Sequence, residues 1–287
     1  NQAFGVDLNQ VPEDKLGPND ASGPTNARPY PNFQSIGGEN WVALSNYNAL
    51  QATIEKRLTS GLQFNFNYTW SKFLNESDAC AWNCGTNTAQ NAYKPSANYG
   101  PSDYDVRNMF KGRIIYEVPF GIGRKFLNNN RVVDLVIGGW QTAATIQYQS
   151  GNPFTVVTAN NNSYAQSGSQ YPNVVPRVSP WSGNVRTVGP NGNWFNEAAF
   201  AQPAAGTFGN SSRNSLYGPH LSNVNFSLGK NFPIWKTVLQ IRADATNVFN
   251  HPSFGLPNSN IGPGQQSTIT SVTVGGRAIQ LLGKISF

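Results

Sequence analysis

Apolar and polar positions alternate with a period of two in seven stretches of this chain, and that alternation predicts seven amphipathic β-strands. The clearest runs over residues 61–72, where Leu62, Phe64, Phe66, Tyr68 and Trp70 interleave with Gln63, Asn65, Asn67 and Thr69. Ahead of it, residues 46–59 set Leu50, Ala52, Ile54 and Leu58 against Gln51, Thr53, Glu55 and Arg57. Residues 105–118 place Phe110, Gly112, Ile114, Tyr116 and Val118 opposite Lys111, Arg113 and Glu117. A fourth strand is predicted over 133–150, with Trp140, Thr142, Ala144, Ile146 and Tyr148 opposing Gln141, Thr145, Gln147 and Gln149. Two more follow over 222–232 (Val224, Phe226, Leu228) and 237–250 (Leu239, Ile241, Ala243, Ala245 against Gln240, Arg242, Asp244, Thr246). The last, 272–287, carries Ile279, Leu281, Gly283, Ile285 and a terminal Phe287 on one side, with Gln280, Lys284 and Ser286 on the other. Residues 1–45 hold turn formers such as Gly17-Pro18-Asn19-Asp20 and read as an extracellular loop or linker.

The connections discriminate between architectures. They run short at Gly61, long over Ser71–Asp103, short near Gly121–Arg131, long over Gly151–Pro219, short over Pro233–Lys236 and long over His251–Ser271. A soluble sandwich has no reason to alternate loop length so regularly, whereas an antiparallel transmembrane β-barrel does, with tight turns on one rim and extended loops on the other. The predicted lengths suit a tilted crossing of ~9–11 residues. A strand ending in an aromatic residue is also how such barrels close, and Ile279, Leu281, Ile285 and Phe287 are the candidate closure set. Seven is an odd count, so the strands are expected to be the end of a larger barrel.

Composition sharpens this picture. Charged residues are 12% of 287, about half the usual ~25%, and aromatics are another 12%. Mean hydropathy is −0.42, and no stretch approaches ~18 consecutive apolar residues, which excludes a helical membrane protein. The net charge of +6 comes from Lys and Arg scattered singly, with Lys56-Arg57 and Arg124-Lys125 the adjacent pairs. Nucleic-acid binding would want them clustered on one element. The start at Asn1 has neither an initiator Met nor a signal-peptide pattern, so a mature or truncated piece of a longer protein is expected. Cys80 and Cys84 are the two cysteines; without His or Cys partners they suit a small disulfide in an oxidising compartment better than zinc.

An ordered set of short motifs then points to a family. These are Tyr47-Asn48-Ala49-Leu50-Gln51, Phe66 through Lys72, Tyr99 through Arg107, Gly138-Gly139-Trp140-Gln141, and Gln149 through Phe154. After them come Phe208-Gly209-Asn210, Arg213-Asn214, Gly218-Pro219 and Thr246 through Pro252. Together they resemble the C-terminal part of TonB-dependent outer-membrane receptors of the Oar-like type. The resemblance implies a 22-stranded barrel, plugged by an N-terminal domain, that moves a bulky scarce solute inward with energy from TonB. It also implies outer-membrane lipid and lipopolysaccharide around the wall, and the barrel-assembly machinery reading the C-terminal strand. TonB would act through an N-terminal region that this sequence does not contain. Two alternatives stay open: an outer-membrane adhesion protein anchored by the barrel, and a secreted β-sandwich lectin.

Catalytic chemistry is not expected. His220 and His251 each sit in a loop beside Pro, and Ser150-Gly151 lacks the strand-turn-helix context of a nucleophile elbow. Asp103 and Asp105, near Asn98 and Asn108, could ligate Ca²⁺, but a strand-entry turn with Asp105 paired to Arg107 is the simpler reading. No enzyme activity, cofactor or metal is therefore predicted. The candidate lumen-facing residues are Gln51, Glu55, Arg57, Lys111, Arg113, Glu117, Gln147, Arg242, Asp244 and Lys284. Trp82, Trp181 and Trp194 are loop aromatics that could stack on a ligand or pack their own loop. Tyr68, Trp70, Tyr116, Trp140 and Trp235 fit interfacial girdles.

Overall fold

A computed structural model describes residues 2–17, 27–78, 89–127, 131–159, 162–165, 168, 170–189, 191–235 and 237–287. Seven long strands form one antiparallel meander: β1 (Ser45–Thr59), β2 (Leu62–Asn75), β3 (Asn108–Glu117), β4 (Trp140–Gln149), β5 (Leu221–Ile234), β6 (Thr237–Thr246) and β7 (Ala278–Ser286). Each pairs with its sequence neighbour, so β1 and β7 are the edges and the described sheet does not close. Ile279, Leu281 and Ile285 thus sit on an edge strand hydrogen-bonded to β6, with Phe287 just beyond it. Barrel closure by this strand is not seen.

Register converts the sequence alternation into two faces. One row across the wall is Ile54–Phe66–Gly112–Ile146–Val224; a second is Phe64–Ile114–Ala144–Phe226–Ala245–Ile279. The alternate rows are polar, as in Thr53–Asn67–Lys111–Gln147–Asn223. Gly112 lets the Phe66 and Phe110 rings stack at 5.8 Å, because a Cβ there would lie 2.9 Å from Phe66.

None of the buried apolar side chains of the described residues belongs to β1–β7. The main core lies instead among the long connections, where Phe154, Val156, Phe195, Ala199, Phe200, Leu216 and Ile261 cluster. Among the described residues no second β layer closes over the wall's apolar face, as a sandwich would require. Removing such side chains from water is worth ~1.5–3 kcal/mol each, and this fold leaves that stabilisation to whatever surrounds the wall.

The turns explain where strands stop. Ser60 (φ 54°) and Gly61 (φ 80°) give the two left-handed residues of a tight hairpin joining β1 to β2. A second two-residue turn opens at Trp235 (φ 53°), between the paired Ile234 and Thr237.

Several boundaries differ from the periodicity. The stretch 133–150 is not all strand: Arg131–Ile137 is a helix, α1, and β4 starts only at Trp140, after Gly138 and Gly139 (φ 72°). The expected strand 105–118 begins at Asn108, because Asp105 is engaged in a turn. The stretch 237–250 stops at Thr246, where Asn247 turns left-handed (φ 48°). The stretch 272–287 divides into Val272–Val274, paired with Ser253–Phe254, and β7. Residues 1–45 are not loop throughout, since Gln2–Asp7 pairs antiparallel with Gly37–Ala43.

The crowding at Gly112 yields a stability expectation. Gly112→Val should force the Phe66 ring aside and cost ~1–3 kcal/mol, read as a lower urea midpoint, whereas Thr145→Val on the opposite face should shift it little.

Candidate functional site

The candidate site is the rim carrying the long connections, together with the polar face of the wall beneath it. At the rim, the 76–107 and 150–220 connections are joined by Arg213, whose side chain is 1% exposed. Its guanidinium donates to Asp78 Oδ2 (2.6 Å), to the carbonyls of Asn98 (3.1 Å) and Asn75 (2.7 Å), and to Asn75 Oδ1. Asp78 also accepts from Ser102 Oγ (2.5 Å), the Asp103 amide (2.8 Å) and Asn75 Nδ2 (2.7 Å). Burial opposes ionisation of Asp78, but the bonds from Ser102, the Asp103 amide, Asn75 and Arg213 outweigh it and hold the carboxyl below its ordinary range. Burial meanwhile pushes the Tyr171 phenol up to about 12, so it stays a donor to Asn98 Oδ1 at 2.9 Å.

A second polar node lies beside the first. Asp105 Oδ2 accepts from Arg107 Nε (2.8 Å) and Tyr217 OH (2.8 Å), while its Oδ1 accepts from the Phe73 amide (2.7 Å). The pairing of Asp105 with Arg107 uses the carboxylate that a Ca²⁺ reading would need, and among the described residues no three His, Cys, Asp or Glu side chains are grouped to hold a metal ion. Next to it Asn214 donates to the Pro101 carbonyl (2.9 Å) and Asp103 Oδ1 (2.6 Å). These contacts frame a cleft of about 490 Å³ whose lining includes Asp103, Tyr104, Asn152, Phe154, Asn214 and Leu256. Its lining sets the Asp103 carboxylate and the Asn152 and Asn214 amides beside the apolar side chains of Phe154, Val157 and Leu256.

The predicted site residues divide between places. Gln51, Glu55, Lys111, Arg113, Glu117, Gln147, Arg242, Asp244 and Lys284 all fall on the polar rows of the wall. Arg57 lies within the irregularity between Lys56 and Thr59, so the register gives it no face. Arg242 and Asp244 pair at 2.9 Å, and Asp244 also accepts from Ser227 Oγ at 2.6 Å. Leu282 and Ile115 share the polar face, an apolar contribution that the alternation did not single out.

Trp181 and Trp194 pack against the loop core, with the Arg186 guanidinium 4.7 Å from the Trp181 ring and the Trp194 indole donating to the Tyr217 carbonyl at 2.9 Å. Trp82, Cys80 and Cys84 lie outside the described residues. The cleft was not foreseen, because Asp103, Asn152 and Leu256 meet only through three separate connections. Arg213-Asn214 stood out as a sequence motif, yet its role as the tie between loops had no local signal.

Two comparisons bear on this arrangement. A family model described as "Outer membrane beta barrel domain" matches residues 1–280. No curated protein matches the chain.

The Arg213 node yields two expectations. Arg213→Met leaves Asp78 buried without its cation and should cost the loop layer about 3–5 kcal/mol, seen as proteolytic nicking within 151–219 while the wall stays folded. Because the folded Asp78 carboxyl lies below its unfolded value of ~3.9, its contribution is complete above that pH and is lost as pH falls through the folded value. Pepsin should therefore open the loops below about pH 4, and hydrogen exchange should show the wall opening later.

Proposed function

This chain belongs to the outer membrane beta barrel domain family and its place is the outer membrane of a Gram-negative bacterium; from that premise we propose that it forms part of the wall and rim of a TonB-dependent receptor of the Oar-like type. In this reading the tight turns face the periplasm and the long connections face outward. The apolar rows of Phe64, Phe66, Ile146 and Ile241 meet lipid, and the polar rows face the lumen. One observation carries the reading: a two-faced wall with no layer behind its apolar side, crowned by loops that hold their own core.

The dimensions fit. Trp140 and Tyr148 mark opposite ends of the outer face on one strand, eight residues apart. At roughly 3.3 Å per residue that is about 26 Å along the strand, or ~20 Å across the membrane at a tilt of ~40°, near the apolar band of ~25 Å. Tyr68 and Trp70 join Tyr148 at the loop end, and Tyr116 and Trp235 join Trp140 at the turn end, giving two aromatic belts. Neither β1 nor β7 can keep an open edge in hydrocarbon, so further strands complete the barrel. The resemblance puts that barrel at 22 strands around a plug.

The function proposed is energised uptake without enzyme activity. The rim cleft beside Asp103, Asn152 and Asn214 receives the solute, and the lumen rows that hold Glu55 and Asp244 guide it past the plug. The edge strand β7, with Phe287 99% exposed, is the segment that the assembly machinery engages.

Two measurements test these statements. Ile146→Lys, on the outer face, should lower the folding free energy in lipid vesicles by ~2–4 kcal/mol, whereas Gln147→Glu should leave it nearly unchanged. Cells carrying the full receptor with residues 151–219 deleted should accumulate fluorescent oligosaccharide, peptide or iron-chelate probes no better than cells lacking TonB. Uptake that survives both lesions, with surface adhesion lost instead, would remove the transport reading.

A further inference from the structure

The turn-end rim carries a feature that a minimal hairpin does not need. Between β3 and β4 the chain runs through Val118–Gly139 and forms helix α1, whose C-terminal end meets the apolar face of the wall. Three contacts fix it there. Lys230 Nζ, on β5, donates to the carbonyls of Val136 (3.1 Å) and Gly138. The Trp140 indole also donates to the Val136 carbonyl at 3.0 Å. Asp134 Oδ1 accepts from the Ile122 amide at 2.7 Å, between Gly121 and Gly138, where a Cβ on either would lie within 2.2 Å of it.

Lys230 is the decisive residue. Its row pairs it with Trp140 and Ile241, so it stands on the apolar, lipid-directed face. An ammonium group facing hydrocarbon is costly unless something covers it. Here it is 5% exposed, with the Trp140 and Phe232 rings each 5.1 Å from Nζ and the carbonyl end of α1 laid over it. The cover therefore sits on the side where lipid would otherwise be.

The outward side of α1 is apolar. Leu135 and Val136 are 63% and 66% exposed, and Asp134 is turned inward. Exposed Ile122, Phe126 and Leu127 belong to the same connection, and Trp235, 94% exposed, to the turn between β5 and β6. The patch is continuous with the lipid-directed face of the wall through Trp140 and Phe232.

We propose that α1 is an in-plane membrane anchor: its Leu135–Val136 side seats among phospholipid acyl chains at the headgroup boundary of the periplasmic leaflet, and Lys230 clamps it to the barrel. This rests on the sidedness proposed above. The clamp satisfies the C-terminal carbonyls of a helix too short to be stable by itself. It also turns a charge that would thin the membrane into an internal bond.

The test uses the full receptor reconstituted in phosphatidylethanolamine and phosphatidylglycerol vesicles, with Cys80→Ser and Cys84→Ser in the background. A nitrobenzoxadiazole label is placed through Leu135→Cys, and separately through Ile241→Cys on the wall. Seated ~5–10 Å into the boundary, the Leu135 label should lose about half its emission in lipids brominated near the headgroup end of the chain and resist aqueous iodide. The Ile241 label, in the same row as Trp140, should be quenched by the same brominated lipids. Quenching at Ile241 with none at Leu135, whether that label is open to iodide or shielded by another protein surface, overturns the anchor and leaves the barrel reading intact. No lipid quenching at Ile241 overturns the barrel reading itself. Lys230→Met should leave the wall folded, yet make the 119–139 connection sensitive to protease added on the periplasmic side. An unchanged cleavage pattern would refute the clamp.

Discussion

The constraint that governs this protein is that backbone polar groups and apolar side chains are satisfied in perpendicular directions. Along the sheet, each strand from β2 to β6 spends its amides and carbonyls on both neighbours. Across the sheet, no described apolar side chain in the rows through Phe66, Ile146 and Phe226 is buried. A water-bathed sheet would gain from folding a second layer over those rows. In an outer membrane the hydrocarbon takes that role, and lateral pairing becomes the indispensable interaction, since an unmet amide in lipid costs several kcal/mol. The same logic leaves β1 and β7 in need of partners.

Above the wall, a different balance applies. The connections leave the membrane and must hold their shape in water, so they build a small core around Phe195 and tie it down with buried polar nodes. Arg213 bridges the two long connections through Asp78, Asn75 and Asn98, and Asp105 binds Arg107 and Tyr217 close to where β3 begins. Such nodes are demanding, because each buried charge is favourable only with its full set of partners. They also define geometry, which explains how three long connections can present a formed cleft. The shape of the rim and the strength of the wall thus rest on separate groups of residues.

At the opposite rim, polar demands are met from the lipid side. Lys230 interrupts an apolar row, and the structure answers with two aromatic rings and the end of a helix. The glycines at 121 and 138 are the enabling residues, since they let Asp134 approach the chain it fastens. A rule-breaking residue on the wall and an extra element beside it are one device.

The sequence alone determined the wall. Residues such as Leu62, Phe64 and Phe66 alternate with Asn65 and Asn67 because strand geometry has a period of two, a local property that needs no knowledge of the rest of the chain. The turn at Ser60-Gly61 was likewise local, since glycine tolerates left-handed backbone, whereas the left-handed Trp235 within the expected Pro233–Lys236 connection had no such signal. Where the same rule misled, over 133–137, alternation and helical spacing could not be told apart in so short an apolar run, and the Gly138-Gly139 break settled it. Only the tertiary structure decided that Trp181 and Trp194 pack inward, that Arg213 finds Asp78 across 135 residues, and that Asp103, Asn152 and Leu256 share one cleft. Those outcomes depend on how separate loops fold back over a common rim, and no periodicity along the chain records a meeting between residues so far apart.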